Sequence, residues 1–102
     1  MNILKKFKAY LQLRDAVQKA DSAHAKNGAR YYVVNGANGK LVVMDRKNFR
    51  LLKRKHYIDS DVTMNDLALG CFYYTPQRDG SGCISNSEAI IRRVKYFDWK
   101  NK

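Results

Sequence analysis

The chain has 102 residues, a net charge of +11 and a pI near 9.9. One domain of this length buries roughly two-thirds of its unfolded surface, a single proline and the lack of low-complexity tracts exclude long disorder, and no run of about 18 apolar residues is present to span a membrane. The charge is segregated: fourteen of the twenty lysines and arginines, but three of the nine acids, fall in residues 1–56. The remainder is balanced. Excess charge of one sign in half a chain implies a polyanionic partner that relieves the self-repulsion, the alternative being a solubilising surface.

Residues 3–25 carry the longest helical pattern. Phe7, Tyr10, Leu11, Leu13, Val17 and Ala20 make a broad apolar arc, with Lys5, Lys8, Gln12, Asp15 and Lys19 mainly opposite. Lysines at 5, 6 and 8 without an apolar run behind them do not read as a signal peptide. Asn27-Gly28 supplies the stop, since a helix C-terminus favours residues that tolerate positive φ.

Residues 30–34, RYYVV, read as a strand, and two Asn-Gly pairs follow in residues 35–39. Such pairs suit tight hairpin loops, so residues 30–34 and 40–44 are expected to pair antiparallel. Leu41, Val42, Val43 and Met44 are apolar without alternation, which suits a strand covered on both faces. Asp45 then reads as an N-cap, and a helix is expected to run from 46 to about His56. Phe49, Leu52 and His56 share its apolar side; Arg46, Lys47, Arg50, Lys53 and Arg54 spread over the adjoining arc.

Thr63 with Asp66 opens a short helix whose apolar side is Met64, Leu67 and Ala68 and which ends at Gly70. Residues 71–75, CFYYT, form a third strand closed by Pro76, and residues 77–83 form a turn-rich loop. Ser85 to Glu88 reads as a capping box for the last helix. Ile90, Ile91, Val94 and Phe97 are expected on its buried side, with Arg92, Arg93, Lys95 and Lys100 outside and Trp99 clamping the helix onto the fold. The expectation is one α+β domain over residues 1–102, of order α-β-β-α-α-β-α. In it a small antiparallel sheet, a hairpin plus a third strand, is covered by three or four helices.

No catalytic constellation emerges. His24, His56, Cys71 and Cys83 lack the short spacings of a metal site, and no local signature pairs a cysteine with a base. No cofactor is implied: the glycines lack the spacing of a phosphate loop. The two cysteines allow at most one bridge, and a reducing compartment keeps them as thiols.

What the sequence offers is a binding face. Lys40, Arg46, Lys47, Arg50, Lys53 and Arg54 can neutralise successive phosphates of a nucleic acid without reading its sequence. Adjacent strand residues face opposite ways, so each of the pairs Tyr31-Tyr32 and Tyr73-Tyr74 sends one ring to either face of the sheet. An open face would make those rings a stacking platform for single-stranded bases; helices on both faces would make them core.

The stretches RYYVV, GKLVVMDRKNFRLLKRKHYI and CFYYTP resemble short proteins of unassigned function carried by bacterial phages and mobile elements. The resemblance implies context: a host cytoplasm or a phage particle. In that context the protein is either an accessory nucleic-acid binder or a structural component, whose basic face meets an acidic protein surface or which assembles with itself. An exposed apolar patch that includes Trp99 or Tyr10 would favour the structural role.

Overall fold

The computed structural model describes residues 2–102. In chain order the elements are α1 (Ile3–Asn27), β1 (Tyr31–Asn35), β2 (Leu41–Asp45), α2 (Arg46–Arg54), α3 (Met64–Gly70), β3 (Tyr73–Tyr74) and α4 (Asn86–Lys100). This is the expected α+β order. Each helix starts where a side chain takes up a first-turn amide: Asn2 accepts from Lys5, Asp45 from Asn48, Thr63 from Asp66 and Ser85 from Glu88. Gly28 ends α1 in the left-handed conformation, at φ 77°, and its N–H reaches the His24 carbonyl.

The three strands form one antiparallel sheet in the order β2-β1-β3. The hairpin register sets Tyr31 opposite Asp45 and Asn35 opposite Leu41, and its loop turns through positive φ at Asn38 and Gly39. The third strand is shorter than its five-residue pattern. Only Tyr73 and Tyr74 are regular, although the Phe72 and Thr75 amides still donate to the Val33 and Tyr31 carbonyls at 2.8 and 2.9 Å.

Helices cover both faces, giving two cores. On one face Ala9, Leu13, Ala16 and Ala20 of α1 meet Val33, Phe72 and Tyr96; on the other Phe49 of α2 meets Tyr32, Val34, Met44 and Cys71, with α3 beside them. The apolar run of β2 is covered in part: Met44 is buried and Leu41 and Val43 pack on the α1 face, while Val42 stays exposed.

Two helices are rotated from their expected faces. In α1 the buried stripe is three alanines and Leu13, while Phe7 and Tyr10 are 59% and 42% exposed. Small residues let the helix lie close to the sheet, near enough for the Tyr96 hydroxyl to donate to the Ala9 carbonyl. Every residue from 2 to 8 is exposed, so the first two turns run past the core. In α4 the expected outward residue Arg92 is buried with Tyr96, and Ile90, Ile91 and Val94 face out. Arg92 is the reason for that rotation. Its guanidinium donates to Glu88 at 2.8 Å and to the Cys71 carbonyl, and lies 5.2 Å from the centre of the Tyr74 ring. Glu88 is thereby drawn to Arg92, and Ser85 supplies the cap without the reciprocal bond of a capping box. Trp99 packs on Phe72 and Tyr96, with ring centres 5.5 and 6.1 Å apart, and clamps the end of α4. Among the described residues no helix is long and apolar enough to cross a membrane.

Candidate nucleic-acid interface

Asp45 fixes where the basic helix begins, because its carboxylate caps the Asn48 amide 2.9 Å away. Counting from that start, Arg46, Lys47, Arg50 and Arg54 fall within an arc of about 100°, and Phe49 and Leu52 point the other way into the core. Burying Phe49 therefore aims four cations in one direction. They line a cleft of about 830 Å³.

Two further cations of the lining come from distant parts of the chain. Arg30 stands just before β1, and Arg78 lies in the loop after β3. Both side chains are held. Arg30 donates from Nε to the Thr75 carbonyl at 2.8 Å and to the Gly82 carbonyl, with its guanidinium 4.6 Å from the centre of the Tyr74 ring. Arg78 donates to the Asn27 carbonyl at 2.8 Å, where it takes up a free acceptor at the end of α1. Asn27, Ala29, Tyr32, Asp45, Met64 and Gln77 complete the lining.

Six cations and one carboxylate, that of Asp45, thus line the same cleft. None of the six is in an ion pair; among the described residues the single pair joins Arg92 to Glu88. Like charges around a concavity focus a positive potential into it and repel one another until an anion enters. Guanidinium groups add paired, planar donors that match phosphate oxygens.

Of the expected phosphate contacts, the cleft gathers Arg46, Lys47, Arg50 and Arg54 and leaves out Lys40 and Lys53. Lys40 is exposed at the hairpin tip, the length of β2 from Asp45, which is roughly 17 Å at strand rise. Lys53 lies over the Phe49 ring, 5.5 Å from its centre, on the side of α2 toward Asp66. The sequence reading missed Arg30 and Arg78. Arg30 was legible as the cation opening a strand beside a helix stop, but Arg78 carried no signal beyond its charge.

The tyrosines divide between the two cores. Tyr31 and Tyr73 pack on the α1 face, where the Tyr31 hydroxyl accepts from Asn27 at 2.7 Å and the Tyr73 hydroxyl donates to Asp21 at 2.6 Å. Burial, then the bond to Asp21, pushes the Tyr73 hydroxyl far above the usual phenol range. On the other face Tyr32 is buried and lines the cleft, and Tyr74 lies against the guanidiniums of Arg30 and Arg92. With helices on both sides, the four rings do not line up on an open face.

The histidines and cysteines are dispersed. The His24 ring nitrogen Nδ1 lies 2.9 Å from the Ala29 carbonyl oxygen, while His56 is exposed in the turn that ends α2. Cys71 and Cys83 are free thiols, one buried and one exposed. Burial pushes the Cys71 thiol up, which keeps it protonated and a poor nucleophile despite the nearby Arg92. No family model, curated protein or solved structure matches this chain.

Proposed function

We propose that this protein is a non-catalytic module that binds nucleic acid through its phosphates, with the cleft lined by α2, Arg30 and Arg78 as the contact surface. The gathering of six unpaired cations, with one carboxylate, in the lining of a single cleft carries the reading. Four come from one helix; the other two are brought across the fold and held there by hydrogen bonds. A merely solubilising charge has no need of such placement, because cations spread over a convex surface repel one another less. The sequence carries no base-reading motif, so the contact proposed is with phosphates and independent of sequence. The cytoplasm of a bacterial host or the interior of a phage particle, the context implied by the resemblance, would present such a polyanion.

The test is binding of the purified protein to labelled oligonucleotides over a series of salt concentrations. Wild type should show log K falling linearly with log salt. Replacing Arg46, Arg50 and Arg54 together with Gln should flatten that slope by about 0.7 to 0.9 for each phosphate no longer neutralised, without lowering the melting temperature. An unchanged slope would remove α2 from the interface.

A second reading, assembly with further copies or with a larger shell, has its own support. Ile3 is 83% and Ile91 62% exposed, and Leu4, Phe7, Tyr10, Ile90 and Val94 are also uncovered. Exposed apolar side chains grouped on helix faces are a mark of association. These faces are separate from the cationic cleft, so the two roles are compatible.

A further inference from the structure

We infer that β2, the open edge of the sheet, pairs antiparallel with β2 of a second copy of this chain; this rests on the reading of assembly with further copies and assigns the contact to a surface other than the outer faces of α1 and α4. The hydrogen-bond parity of the hairpin shows which groups are free. The Val33 and Tyr31 carbonyls accept from the Phe72 and Thr75 amides, so the odd residues of β1 turn their backbone toward β3. Its even residues then bond β2, through the pairs Tyr32–Met44 and Val34–Val42. Leu41 and Val43 are left with N–H and C=O directed away from the sheet, and among the described residues no group takes them up.

The two edges of the sheet differ. β3 is blunted: it is two residues long, Pro76 soon follows, and Arg30 occupies the Thr75 carbonyl. β2 has no such protection, since Leu41 to Met44 contains neither charge nor proline and its register with β1 runs without a bulge. Side chains at this edge are uncovered as well. Val42 is exposed and borders an apolar groove of about 360 Å³ with Tyr57, Ile58, Val62 and Leu67.

A second copy fits the edge residue by residue. About a two-fold axis at Val42, Leu41 of each copy pairs with Val43 of the other, and every free N–H finds a free C=O with none left over. Val42 then meets Val42 and Lys40 meets Met44, so no like charges face each other. An axis at Val43 instead sets Leu41 against Asp45, whose carbonyl already accepts within α2, and directs Lys40 toward Arg46. The edge is thus complementary to itself in one register, as a two-fold contact requires. Charge opposes the pairing: two chains of +11 repel, so association should strengthen as salt screens them, whereas phosphate binding weakens.

The experiment follows the mass of the full chain in solution over a range of protein concentrations, at about 0.05 and about 0.5 M salt, with amide hydrogen exchange measured in parallel. We expect a dimer whose share rises with concentration and with salt, and slower exchange at Leu41 and Val43 in concentrated than in dilute samples. Val42→Lys and Val42→Glu place like charges opposite each other and should each weaken the dimer on the order of tenfold. An equimolar mixture of the two variants should restore it. Val42 is exposed, so both variants should melt near wild type, and the exchange readout needs no variant at all. A dimer dissolved by Phe7→Ser with Ile91→Ser, with exchange at Leu41 and Val43 independent of concentration, would overturn the edge pairing and leave assembly through the helix faces standing. A monomer at every concentration and at both salts would remove the inference and self-assembly together, leaving phosphate binding untouched.

Discussion

Arg92 shows how one side chain can decide the orientation of a helix. A guanidinium is costly to bury unless its donors are used, and here Glu88, the Cys71 carbonyl and sulfur, and the Tyr74 ring all receive it. Arg92→Met keeps the length of the side chain and removes those partners. It should destabilise the domain by about 2 kcal/mol, lowering the melting temperature on the order of 10 °C. Glu88→Gln should cost less than about 1 kcal/mol, because the Glu88 side chain is 39% exposed and water takes over its role. Equal losses in the two variants would mean that the ion pair, and not the buried guanidinium, matters. His56 is the opposite case, a residue held where its backbone is strained. Its φ of 65° is left-handed, and the turn closes by bonds from the His56 amide to Lys53 and from the Tyr57 amide to Leu52. Glycine carries no penalty there, so His56→Gly should raise stability by about 1 kcal/mol, measured by denaturant unfolding. A loss would show that the imidazole makes contacts worth more than the strain.

Among the elements, α3 is the shortest α-helix, with seven residues, and it carries a reciprocal cap. Thr63 and Asp66 bond reciprocally, and the Thr63 backbone amide, then its hydroxyl, hold the Asp66 carboxyl below the usual carboxylate range. A lowered folded pKa means that the ionised cap contributes stability above the unfolded value of 3.8, and that this contribution is lost as pH falls through the folded value. Hydrogen exchange in the first turn of α3 should therefore be slower in wild type than in Asp66→Ala at about pH 6, and the difference should close by about pH 2. A gap that persists in acid would mean that the capping does not depend on the carboxylate charge. The longer helices depend less on caps, since α1 buries four residues against the sheet and α4 buries Tyr96 in its aromatic cluster. Burial holds the Tyr96 hydroxyl up at about 12, so it stays a donor to Ala9 throughout the working pH range.

For the whole molecule the open matter is what its two unlike surfaces meet. The cationic cleft faces one way, and the apolar side chains of α1 and α4 lie on their outer faces, away from the core. If the apolar faces mediate assembly, mass measured in solution should exceed one chain and rise with protein concentration. Phe7→Ser combined with Ile91→Ser should return it to the monomer while leaving oligonucleotide binding intact. A monomer at every concentration would remove self-association and leave a different protein as the partner of those faces.

Read alone, the sequence determined the kinds of element, their order and where the helices start, while β1 and β2 lie one residue later than expected, β3 is shorter and α2 ends at Arg54. Caps, Asn-Gly turns and the confinement of positive charge to residues 1–56 are local features. Each acts on the backbone within a few residues, so Asn2, Gly28, Asp45, Thr63 and Ser85 place helix ends wherever the rest of the chain lies. The hairpin and the basic arc of α2 were legible for the same reason. Only the tertiary structure decided which faces are buried and which cations converge. Two helices carry more apolar residues than their sites can cover, and periodicity offers two arcs. The choice fell to how closely alanines let α1 approach the sheet and to the partners awaiting Arg92 near Cys71. Arg30 and Arg78 likewise meet α2 only because an antiparallel sheet brings the start of β1, the end of β2 and the loop after β3 to one end. No local rule reaches across that separation.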